Sequence, residues 1–404
     1  MALKVLQINT FYQFGSTGRI VRDLKNLCEQ QGIEAYAAFG PEIDNGDKNI
    51  LRLQSALRRK LNILRTRLWG CHGFYNEEET KQLIKWIDVI RPNIIHLHNI
   101  HNHFVHVGRL FEYIKKHNIP VIWTLHDCWP FTGHCAYFDY AHCDKWKVGC
   151  HQCPSLREYP PTWFFDRTDK NYRLKKNTFT GVKKLKLVTP SQWLAGLTRD
   201  SFLKEYPVEV INNGVDTNVF CPTGNKVKEQ LGISGKKMLL AMATVFDRRK
   251  GTEYLLQLPK LLNDDEVLVL VGLAENQKKL FSQDRCIGLG RTNNVTELAG
   301  YYSAADVFMN PTLEDNFPTT NIEALACGTP VVTFRTGGSP ESVDDSVGCI
   351  VEQADLQAML HSCREIISRG KDFYTINCVE KARKLYNKDI QYMKYIELYK
   401  NAKS

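Results

Sequence analysis

The chain contains 404 residues, of which 43% are hydrophobic and 24% charged, and its formal net charge is +9 at pH 7. The hydrophobic content excludes an intrinsically disordered chain, and the length favours two domains over a single hydrophobic core. No apolar run reaches the ~18 to 20 residues that span a bilayer, and the N-terminus enters a predicted strand without a signal peptide, so we expect a cytoplasmic protein. The positive charge suits anionic membranes, nucleic acid or phosphorylated substrates alike and selects none of them.

Short apolar runs alternate with amphipathic helical stretches along most of the chain. In the first half, this alternation predicts strands at residues 4–9, 34–39, 94–98, 120–125, 186–190 and 208–211, and helices at 18–31, 80–90 and 108–117. In the second half, it predicts strands at 237–244, 266–272, 286–289, 307–309 and 331–334, and helices at 252–262, 295–304 and 319–326. Strands that alternate with helices indicate parallel, doubly wound sheets, so we predict an α/β protein with two Rossmann-like domains.

A polar stretch that carries glycine and proline, residues 212–222, marks the predicted domain boundary. We assign residues 1–212 to an N-terminal domain with a cysteine-rich insertion at 128–154. Residues 213–385 form the predicted C-terminal domain, and residues 386–404 form a terminal helix.

A glycine-containing segment follows the first predicted strand and places Gly15 and Gly18 ahead of the first helix. Glycines at such a position let the backbone approach a ligand closely. The segment does not match GxGxxG, so a dinucleotide site is only weakly indicated. A plain strand-to-helix turn is the alternative.

Residues 57–69 combine helically spaced apolar side chains with five cations. This composition is typical of a helix that lies on an anionic membrane surface. The alternative is an ordinary surface helix whose apolar stripe packs into the core, and the sequence favours neither. The apolar positions are Leu57, Leu61, Leu64, Leu68 and Trp69.

His126 and Asp127 follow a predicted strand, at the carboxyl edge where doubly wound sheets bind ligands. A dense run of histidines follows another predicted strand. We interpret this run as packed loop histidines, with a role on the acceptor side of a cleft as the alternative. Its members are His96, His98, His101, His103 and His106.

Five of the 13 cysteines fall within the insertion at 128–154. A thiolate cluster in a reducing compartment suits structural zinc, whereas two redox-labile disulfides or free thiols are the alternatives. A set of four cysteines leaves no open coordination position, so catalytic zinc is not expected here. The predicted ligands are Cys135, Cys143, Cys150 and Cys153, with His134, His142 and His151 as substitutes.

Basic residues follow the first predicted strand of the second domain, where Arg248, Arg249 and Lys250 directly precede Gly251. Cations at a strand end can neutralise the charge that grows on a leaving diphosphate. A solvated basic turn is the alternative.

Three acids surround the start of the helix predicted at 319–326, namely Glu314, Asp315 and Glu323. Pro318 separates an irregular loop from this helix. The free N–H groups of the helix start suit an anion such as a diphosphate, and carboxylates accept hydrogen bonds from sugar hydroxyls. Together they suit a nucleotide-sugar, with a helix cap and solvated acids as the alternative.

This segment resembles the acid-x7-Glu motif of the retaining GT-B glycosyltransferases of family 4, in which residues 323–332, EALACGTPVV, are the characteristic part. The resemblance implies that Glu323 holds the ribose hydroxyls of the donor. By spacing, the first acid is Asp315, where the family usually has glutamate. Use of the adjacent Glu314 is the alternative.

The same resemblance assigns roles to residues elsewhere in the chain. Lys250 matches the family's phosphate lysine, but the arginine expected five residues earlier is Val245, so Arg248 or Arg249 would substitute. His126 matches a histidine that contacts the donor sugar. The residues expected to carry catalysis are therefore His126, Lys250, Asp315 and Glu323. The donor cradle would be completed by Gly15, Gly18, Asn316, Phe317, Pro318, Thr319 and Thr320.

The resemblance further implies a GT-B fold, with the domains facing across a cleft and the terminal helix packing back on the first domain. It implies transfer of a hexose-type sugar from a UDP- or GDP-type donor, without a metal in catalysis, to a saccharide or lipid-linked acceptor in surface (capsule, exopolysaccharide or O-antigen) polysaccharide biosynthesis. Peripheral contact with the anionic inner membrane would accompany a lipid-linked acceptor. A non-catalytic nucleotide-sugar-binding scaffold is the alternative. A zinc-containing nucleic-acid-binding protein fits poorly, because the basic residues are scattered and not clustered with aromatics, so no nucleic-acid partner is expected.

Overall fold

The computed structural model describes residues 2–40, 47–53, 56–224, 226–292 and 294–403. The chain divides into two compact units, Met1–Asn212 with Tyr392–Ser404, and Asn213–Gln391. Each unit contains one parallel sheet and its own buried apolar residues.

The sheet of the first unit is formed by β1 (Lys4–Ile8), β2 (Glu34–Phe39), β3 (Ile50–Arg52), β4 (Ile94–Leu97), β5 (Val121–Thr124), β6 (Leu185–Thr189) and β7 (Val208–Val210). Its strand order is β3-β2-β1-β4-β5-β6-β7, and every pairing is parallel. The order reverses between β1 and β4, in which Gln7 and His96 are register partners. The carboxyl edge at such a reversal is where doubly wound sheets bind ligands.

The helices of the first unit are α1 (Gly15–Gln30), α2 (Ala56–Trp69), α3 (Glu77–Ile90), α4 (Val107–His117), α5 (Thr168–Phe179) and α6 (Gln192–Asp200). Two short 3-10 turns, Trp129–Phe131 and Lys145–Lys147, lie within the cysteine-rich insertion.

The sheet of the second unit is formed by β8 (Lys237–Met242), β9 (Glu266–Leu273), β10 (Cys286–Gly290), β11 (Val307–Asn310), β12 (Val331–Phe334) and β13 (Gly348–Val351). Its strand order is β10-β9-β8-β11-β12-β13, again all parallel. This order reverses between β8 and β11, so the loops that follow these two strands leave neighbouring points of the carboxyl edge. Its helices are α7 (Val227–Gln230), α8 (Thr252–Gln257), α9 (Glu275–Lys278), α10 (Val295–Ala304), α11 (Thr319–Ala326), α12 (Leu356–Arg369) and α13 (Asp372–Leu385). The last helix, α14 (Lys388–Lys403), begins in the second unit, and most of it belongs to the first.

The C-terminal helix α14 contributes aromatic side chains to a core of the first unit. Tyr395 and Tyr399 are buried in the same cluster as Val5, Ile94 and Ile122, which come from three neighbouring strands. These contacts explain why the last residues of the chain belong to the first compact unit.

The predicted strands and helices are confirmed, with ends that differ by no more than a few residues. The predicted helix at 252–262 ends as an α-helix at Gln257 and continues as a 3-10 turn, Leu258–Leu261, because Pro259 has no N–H for the α-helical ladder. The short edge strands β3 and β13 were not predicted, since three or four residues carry little periodicity.

Candidate active site

The loop after β11 carries Glu314 and Asp315 and leads into α11, which carries Glu323. Pro318 has an extended backbone and precedes the first helical residue, Thr319, as the sequence predicts. Beyond the helix, Gly328 adopts the left-handed conformation with φ +73°, and a Cβ there would lie 2.8 Å from Thr375 Cγ2. Both the positive φ and the lack of room for a side chain favour glycine at position 328. This left-handed residue ends α11 and fixes the direction in which the chain leaves it.

A glycine turn packs against the backbone of Asp315. Gly337 has φ +53°, and a Cβ at this position would lie 2.0 Å from the Asp315 carbonyl oxygen. The N–H of Gly338 donates to that same oxygen at 3.0 Å. Glycine is therefore required at position 337 for this close approach, and the Gly338 hydrogen bond helps to hold the acidic loop in place.

Lys250 and Asp315 form an ion pair. The Lys250 ammonium donates to Asp315 Oδ2, and Arg249 Nη1 lies 4.0 Å from the same oxygen. Arg249 Nη1 also donates to the carbonyl oxygen of Glu314 at 3.0 Å. The structure thus joins the basic turn and the acidic loop that the sequence predicts separately.

Backbone contacts hold the basic turn against this loop. The N–H of Leu313 donates to the Arg249 carbonyl oxygen at 2.8 Å. Gly251 has φ +68°, and a Cβ there would lie only 2.0 Å from the Pro311 carbonyl oxygen. A larger residue at Gly251 would push the turn away and separate Lys250 from its partner.

The charges of the ion pair control the ionisation of Asp315. Burial pushes the pKa of Asp315 upward, but Lys250, Arg249 and the N–H of Phe317 outweigh it and leave the pKa below the usual aspartate value. Burial also lowers the pKa of Lys250, and the Asp315 carboxylate opposes that shift. The carboxylate is therefore charged at neutral pH and balances the lysine in a site that is largely closed to water.

Glu323 is buried on α11 and is held by a tyrosine from another helix. The hydroxyl of Tyr302, on α10, donates to Glu323 Oε2 at 2.9 Å, and the tyrosine is fully buried. Sequence reasoning missed Tyr302, because the pattern around it indicates only a helix. Its neighbour Tyr301 makes the same kind of bond on the exposed side of α10, to Glu297 Oε1 at 2.9 Å.

The remaining residues of the predicted donor cradle differ in their surroundings. The ring of Phe317 packs against Tyr386 with centroids 5.7 Å apart, and its carbonyl oxygen accepts from Asn213 Nδ2 at 3.1 Å. Phe317 is therefore a packing residue whose backbone shapes the loop. Arg248 is exposed, so the geometry favours Arg249 as the substitute arginine. Glu314, Asn316 and Pro318 are buried, whereas Thr319 and Thr320 are half-buried.

In the first unit, the glycine segment is part of α1. The helix begins at Gly15, so both glycines lie in its first turn and not in a loop ahead of it, contrary to the predicted start at residue 18. Gly15 has φ +71°, and a Cβ on Gly18 would lie 3.2 Å from the backbone of Gln13. Tight packing of this turn against the preceding residues explains why a glycine occupies position 18.

His126 lies just beyond β5 and is half-buried. Its Nε2 atom is 3.1 Å from Nδ1 of His98. Burial lowers the pKa of His126 to about 4, although the neighbouring Asp127 opposes the shift, so the ring is neutral at pH 7. Asp127 Oδ2 accepts a hydrogen bond from His101 Nε2 at 2.8 Å.

Most of the histidine run is packed inside the first unit, as interpreted. His96 is fully buried, and its two ring nitrogens lie 2.6 Å from the Tyr399 hydroxyl and 2.8 Å from Thr124 Oγ1. His106 caps α4, where its Nδ1 accepts from the N–H of Arg109 at 3.2 Å. These histidines stabilise the fold around His126.

Two family descriptions match the chain. "Glycosyl transferases group 1" matches residues 236–369, and "Glycosyltransferase Family 4" matches residues 18–219. The chain belongs to glycosyltransferase family 4. It is therefore a glycosyltransferase, which overturns the alternative of a non-catalytic binding scaffold.

A relative and several solved structures are similar to this chain over almost its full length. WcaC of Escherichia coli K12, which carries the name of a colanic acid biosynthesis glycosyl transferase, is 24% identical over 421 residues, covering 99% of this chain and 100% of WcaC. Sucrose-phosphate synthase from Thermosynechococcus elongatus has a TM-score of 0.73 at 18% identity, covering 99% of this chain and 98% of that one. Anabaena HepE in complex with UDP-glucose has a TM-score of 0.69 at 15% identity, covering 99% and 100%. These structures confirm the predicted GT-B fold.

Four cysteines of the insertion line a cavity of about 10 Å³. They are Cys135, Cys143, Cys150 and Cys153, and the N–H of Gly133 donates to Cys150 Sγ at 3.1 Å. All four are free thiols, which disagrees with the disulfide alternative. Over the described ranges, no three His, Cys, Asp or Glu side chains are arranged to hold a metal ion, so zinc stays a prediction.

Helix α2 exposes Leu57, Leu61 and Leu64 and buries polar side chains. Leu57 is 70% exposed and Leu61 is 53% exposed, so the alternative of an apolar stripe packed in the core is wrong for these positions. The buried side of α2 carries Asn62 and Thr66. Thr66 Oγ1 lies 3.2 Å from Nδ1 of His103, so polar contacts attach the helix to the unit.

Exposed aromatic residues adjoin the end of α2. The N–H of Trp163 donates to the Arg67 carbonyl oxygen at 2.7 Å, and the Arg67 guanidinium lies 5.4 Å from the Trp163 ring centroid. Sequence reasoning missed this segment, although three consecutive aromatic residues were a signal for it. We define the α2 surface as Leu57, Leu61, Leu64, Trp163, Phe164 and Phe165, all of which are exposed. Within the described ranges, no helix is long and apolar enough to cross a membrane.

Proposed function

We propose that this glycosyltransferase moves a hexose-type sugar from a UDP- or GDP-type donor to a saccharide acceptor in polysaccharide biosynthesis, with retention at the anomeric carbon. The observation that carries the proposal is the Lys250–Asp315 ion pair on the loops that follow β8 and β11. The name of WcaC, which refers to colanic acid biosynthesis, supports the polysaccharide. The UDP-glucose in the HepE structure makes that sugar nucleotide the first donor to test.

The charges of this site suit a diphosphate that leaves as an anion. Lys250 and Arg249 supply cations where negative charge develops, and the N–H groups at the start of α11 add partial positive charge. As a phosphate engages Lys250, the Asp315 carboxylate becomes available to accept a hydrogen bond from a sugar hydroxyl. Glu323, oriented by Tyr302, accepts from the ribose hydroxyls.

Retention is explained in this proposal by attack of the acceptor hydroxyl on the anomeric carbon from the same face that the diphosphate leaves. In this proposal, an oxygen of the departing phosphate takes the proton of the acceptor hydroxyl, so the protein supplies no nucleophile. Basic side chains stabilise the leaving group in the role that a metal ion can play elsewhere, and we expect turnover without added divalent cations. By the family resemblance, His126 contacts the donor sugar.

A lipid-linked acceptor at an anionic membrane is the finer part of the proposal. The α2 surface presents leucines and aromatic side chains, and α2 also carries Arg58, Lys60, Arg65 and Arg67. Apolar side chains that enter the interface, together with cations that attract anionic headgroups, suit peripheral binding at the inner face of the membrane. Such binding would bring the enzyme to its acceptor.

A structural zinc ion in the insertion is a further part of the proposal. The cavity of about 10 Å³ admits a single ion or water molecule, and four thiols contribute to its lining. Thiolates are the ligands that structural zinc prefers. Ligation would require the four sulfurs to converge on one point, which they do not do in this arrangement. The ion would brace the insertion and take no part in the transfer.

The proposed transfer is tested by thermal-shift screening of nucleoside diphosphates and their sugars, followed by donor turnover without acceptor. We expect one nucleotide class to stabilise the enzyme and its sugar to be slowly hydrolysed, while Glu323→Gln abolishes both effects without unfolding. Proton NMR of the first-formed sugar then reports its anomeric configuration. Absence of any nucleotide effect would refute the donor class, and an inverted product would refute retention.

A further inference from the structure

Gln7, His98 and His126 form a continuous chain of hydrogen bonds at the carboxyl edge of the first sheet. His98 Nε2 lies 3.3 Å from Gln7 Oε1, and His98 Nδ1 lies 3.1 Å from His126 Nε2. Gln7 and His98 are almost completely buried, whereas His126 is half-buried. The chain therefore runs from the core, where β1 and β4 meet, towards the predicted sugar-binding histidine.

The orientation of the Gln7 amide is fixed by a backbone carbonyl. Gln7 Nε2 donates to the carbonyl oxygen of Val21, in α1, at 3.2 Å. The opposite orientation would place two oxygens against each other, so the amide oxygen must face His98. An amide oxygen accepts hydrogen bonds and cannot donate them.

This orientation determines which nitrogen of each ring carries the proton. Because Gln7 Oε1 only accepts, His98 must carry its proton on Nε2. His98 is neutral, since it is buried with the His96 ring only 4.0 Å away between centroids, and its Nδ1 is therefore an acceptor. His126 must then donate through Nε2, which leaves Nδ1 as the acceptor of its ring.

Hydrogen bonds on both sides fix the backbone position of His98. The N–H of His98 donates to the Ile8 carbonyl oxygen at 3.0 Å, and its own carbonyl oxygen accepts from Trp123 Nε1 at 3.1 Å. The rings of His98 and His126 are nearly parallel, with an interplanar angle of 15°. Because the backbone is fixed and the two rings are aligned, the position of the proton on His98 determines the position of the proton on His126.

We propose that Gln7 and His98 are positioning residues that hold His126 as the neutral Nε2–H tautomer, so that its Nδ1 accepts a hydrogen bond from a hydroxyl of the donor sugar. The tautomers of His98 and His126 do not depend on the proposed function. Only the identity of the hydroxyl, as one of a donor sugar, rests on it. In this state His126 recognises a neutral hydroxyl and does not neutralise a phosphate. Neutralising the phosphate is the task proposed for Lys250 and Arg249.

The tautomers can be measured directly by long-range proton–nitrogen NMR correlations on the full-length protein labelled with ¹⁵N-histidine, at pH 7. We expect both His98 and His126 to be neutral with the proton on Nε2. Gln7→Met removes the acceptor at nearly constant volume, so both rings should shift towards the Nδ1–H tautomer. Donor kcat/KM should fall about threefold to tenfold, the loss of one hydrogen bond.

Thr124→Val is the matched control, because it removes a buried hydrogen bond from His96 and leaves the chain intact. It should leave the His126 tautomer unchanged. A wild-type His126 that is charged or carries its proton on Nδ1 would overturn the proposal, even if Gln7→Met fails to fold. An unchanged His126 tautomer in folded Gln7→Met would also overturn it. If the tautomers are as expected but no sugar nucleotide is turned over, the proposed function fails and the positioning chain stands.

Discussion

The Lys250 ammonium donates a hydrogen bond to the Asp315 carboxylate, although the two residues are 65 positions apart. The sheet order brings them together, because the loops that carry them follow the neighbouring strands β8 and β11. The residue that we predict to be the first acid of the motif is thus paired with the predicted phosphate lysine. In the proposed mechanism, an incoming diphosphate competes with Asp315 for Lys250, so phosphate binding and sugar recognition are coupled.

Replacement of Lys250 by methionine should impair the reaction far more than it impairs folding. The leaving diphosphate would lose its principal cation, and we expect donor kcat/KM to fall about 100-fold or more. The unfolding temperature should also fall, because the charged Asp315 loses its partner in a largely enclosed site. Initial rates of donor turnover and thermal unfolding measure the two effects.

The matched control is Lys278→Met, which removes a lysine that is paired with Glu275 at the surface of the same unit. This variant should behave like the wild type in both measurements. Adding Asp315→Asn to Lys250→Met should restore stability without restoring the rate. A Lys250→Met enzyme that retains nearly normal turnover would show that the lysine serves only the fold.

Tyr302→Phe tests whether the hydroxyl that reaches Glu323 orients it for the donor. Loss of one hydrogen bond to a carboxylate costs about 1.5 to 3 kcal/mol at most, and part of this is offset by relaxation. We expect the KM of the donor to rise about threefold to tenfold with little change in kcat, because ribose contacts are equal in the ground and transition states. Steady-state kinetics with the identified donor provide the measurement.

Tyr301→Phe is the natural control, since Tyr301 makes the same kind of bond to Glu297 on the exposed side of α10. It should leave the kinetic constants unchanged. If both variants behave alike, the Tyr302 hydroxyl has no specific role in donor binding.

The fold and the helix that carries Glu323 could be predicted because both depend on local patterns. Alternating strands and helices specify two doubly wound sheets, and the run from Glu323 to Gly328 specifies a helix with its C-terminal stop. The basic turn before Gly251 was predicted in the same way, and the family resemblance singled out Lys250 within it. Each of these features lies within one short stretch of sequence.

The supporting residues could not be predicted, because each acts through a contact between distant segments. Tyr302 reaches Glu323 from a different helix, and Gln7 meets His98 only because β1 and β4 are neighbours. The sequence also could not show which face of α2 packs against the unit, because it reveals an apolar face but not whether that face is buried. Asn62 and Thr66 are buried, so the polar face is the one that packs.

The α2 surface should bind anionic membranes. In flotation assays, the intact protein should accompany vesicles of phosphatidylethanolamine and phosphatidylglycerol, and raised salt should weaken the binding. Vesicles of phosphatidylcholine alone should bind it poorly. The triple substitution Leu61→Ser, Leu64→Ser and Phe164→Ser removes apolar contacts while keeping every cation, so binding should be lost at any salt concentration.

The matched control replaces three exposed apolar side chains of the second unit, through Leu280→Ser, Phe373→Ser and Ile376→Ser. That variant should float like the wild type. Failure of the intact protein to bind anionic vesicles would refute the membrane proposal. Equal loss in both variants would show that the binding does not depend on the α2 surface.

The cysteine cavity should hold about one zinc ion per chain. The chemistry of its lining favours this ion, because sulfur and imidazole are zinc ligands. Mass spectrometry of the purified protein measures the metal, and titration of reactive thiols measures its release. Removal of zinc by a chelator should lower the unfolding temperature, since the metal would brace an insertion that has few regular elements.

Cys143→Ser and Cys150→Ser should each reduce the zinc content strongly, because a structural site needs all four ligands. Cys128→Ala is the matched control, since Cys128 is buried in the same insertion but lies outside the cavity lining. That variant should keep its zinc. Protein that is purified without chelators and contains no zinc would refute the site, as would a zinc content that none of the cavity cysteines affects. In either case the four thiols would serve as small apolar packing residues around an empty space.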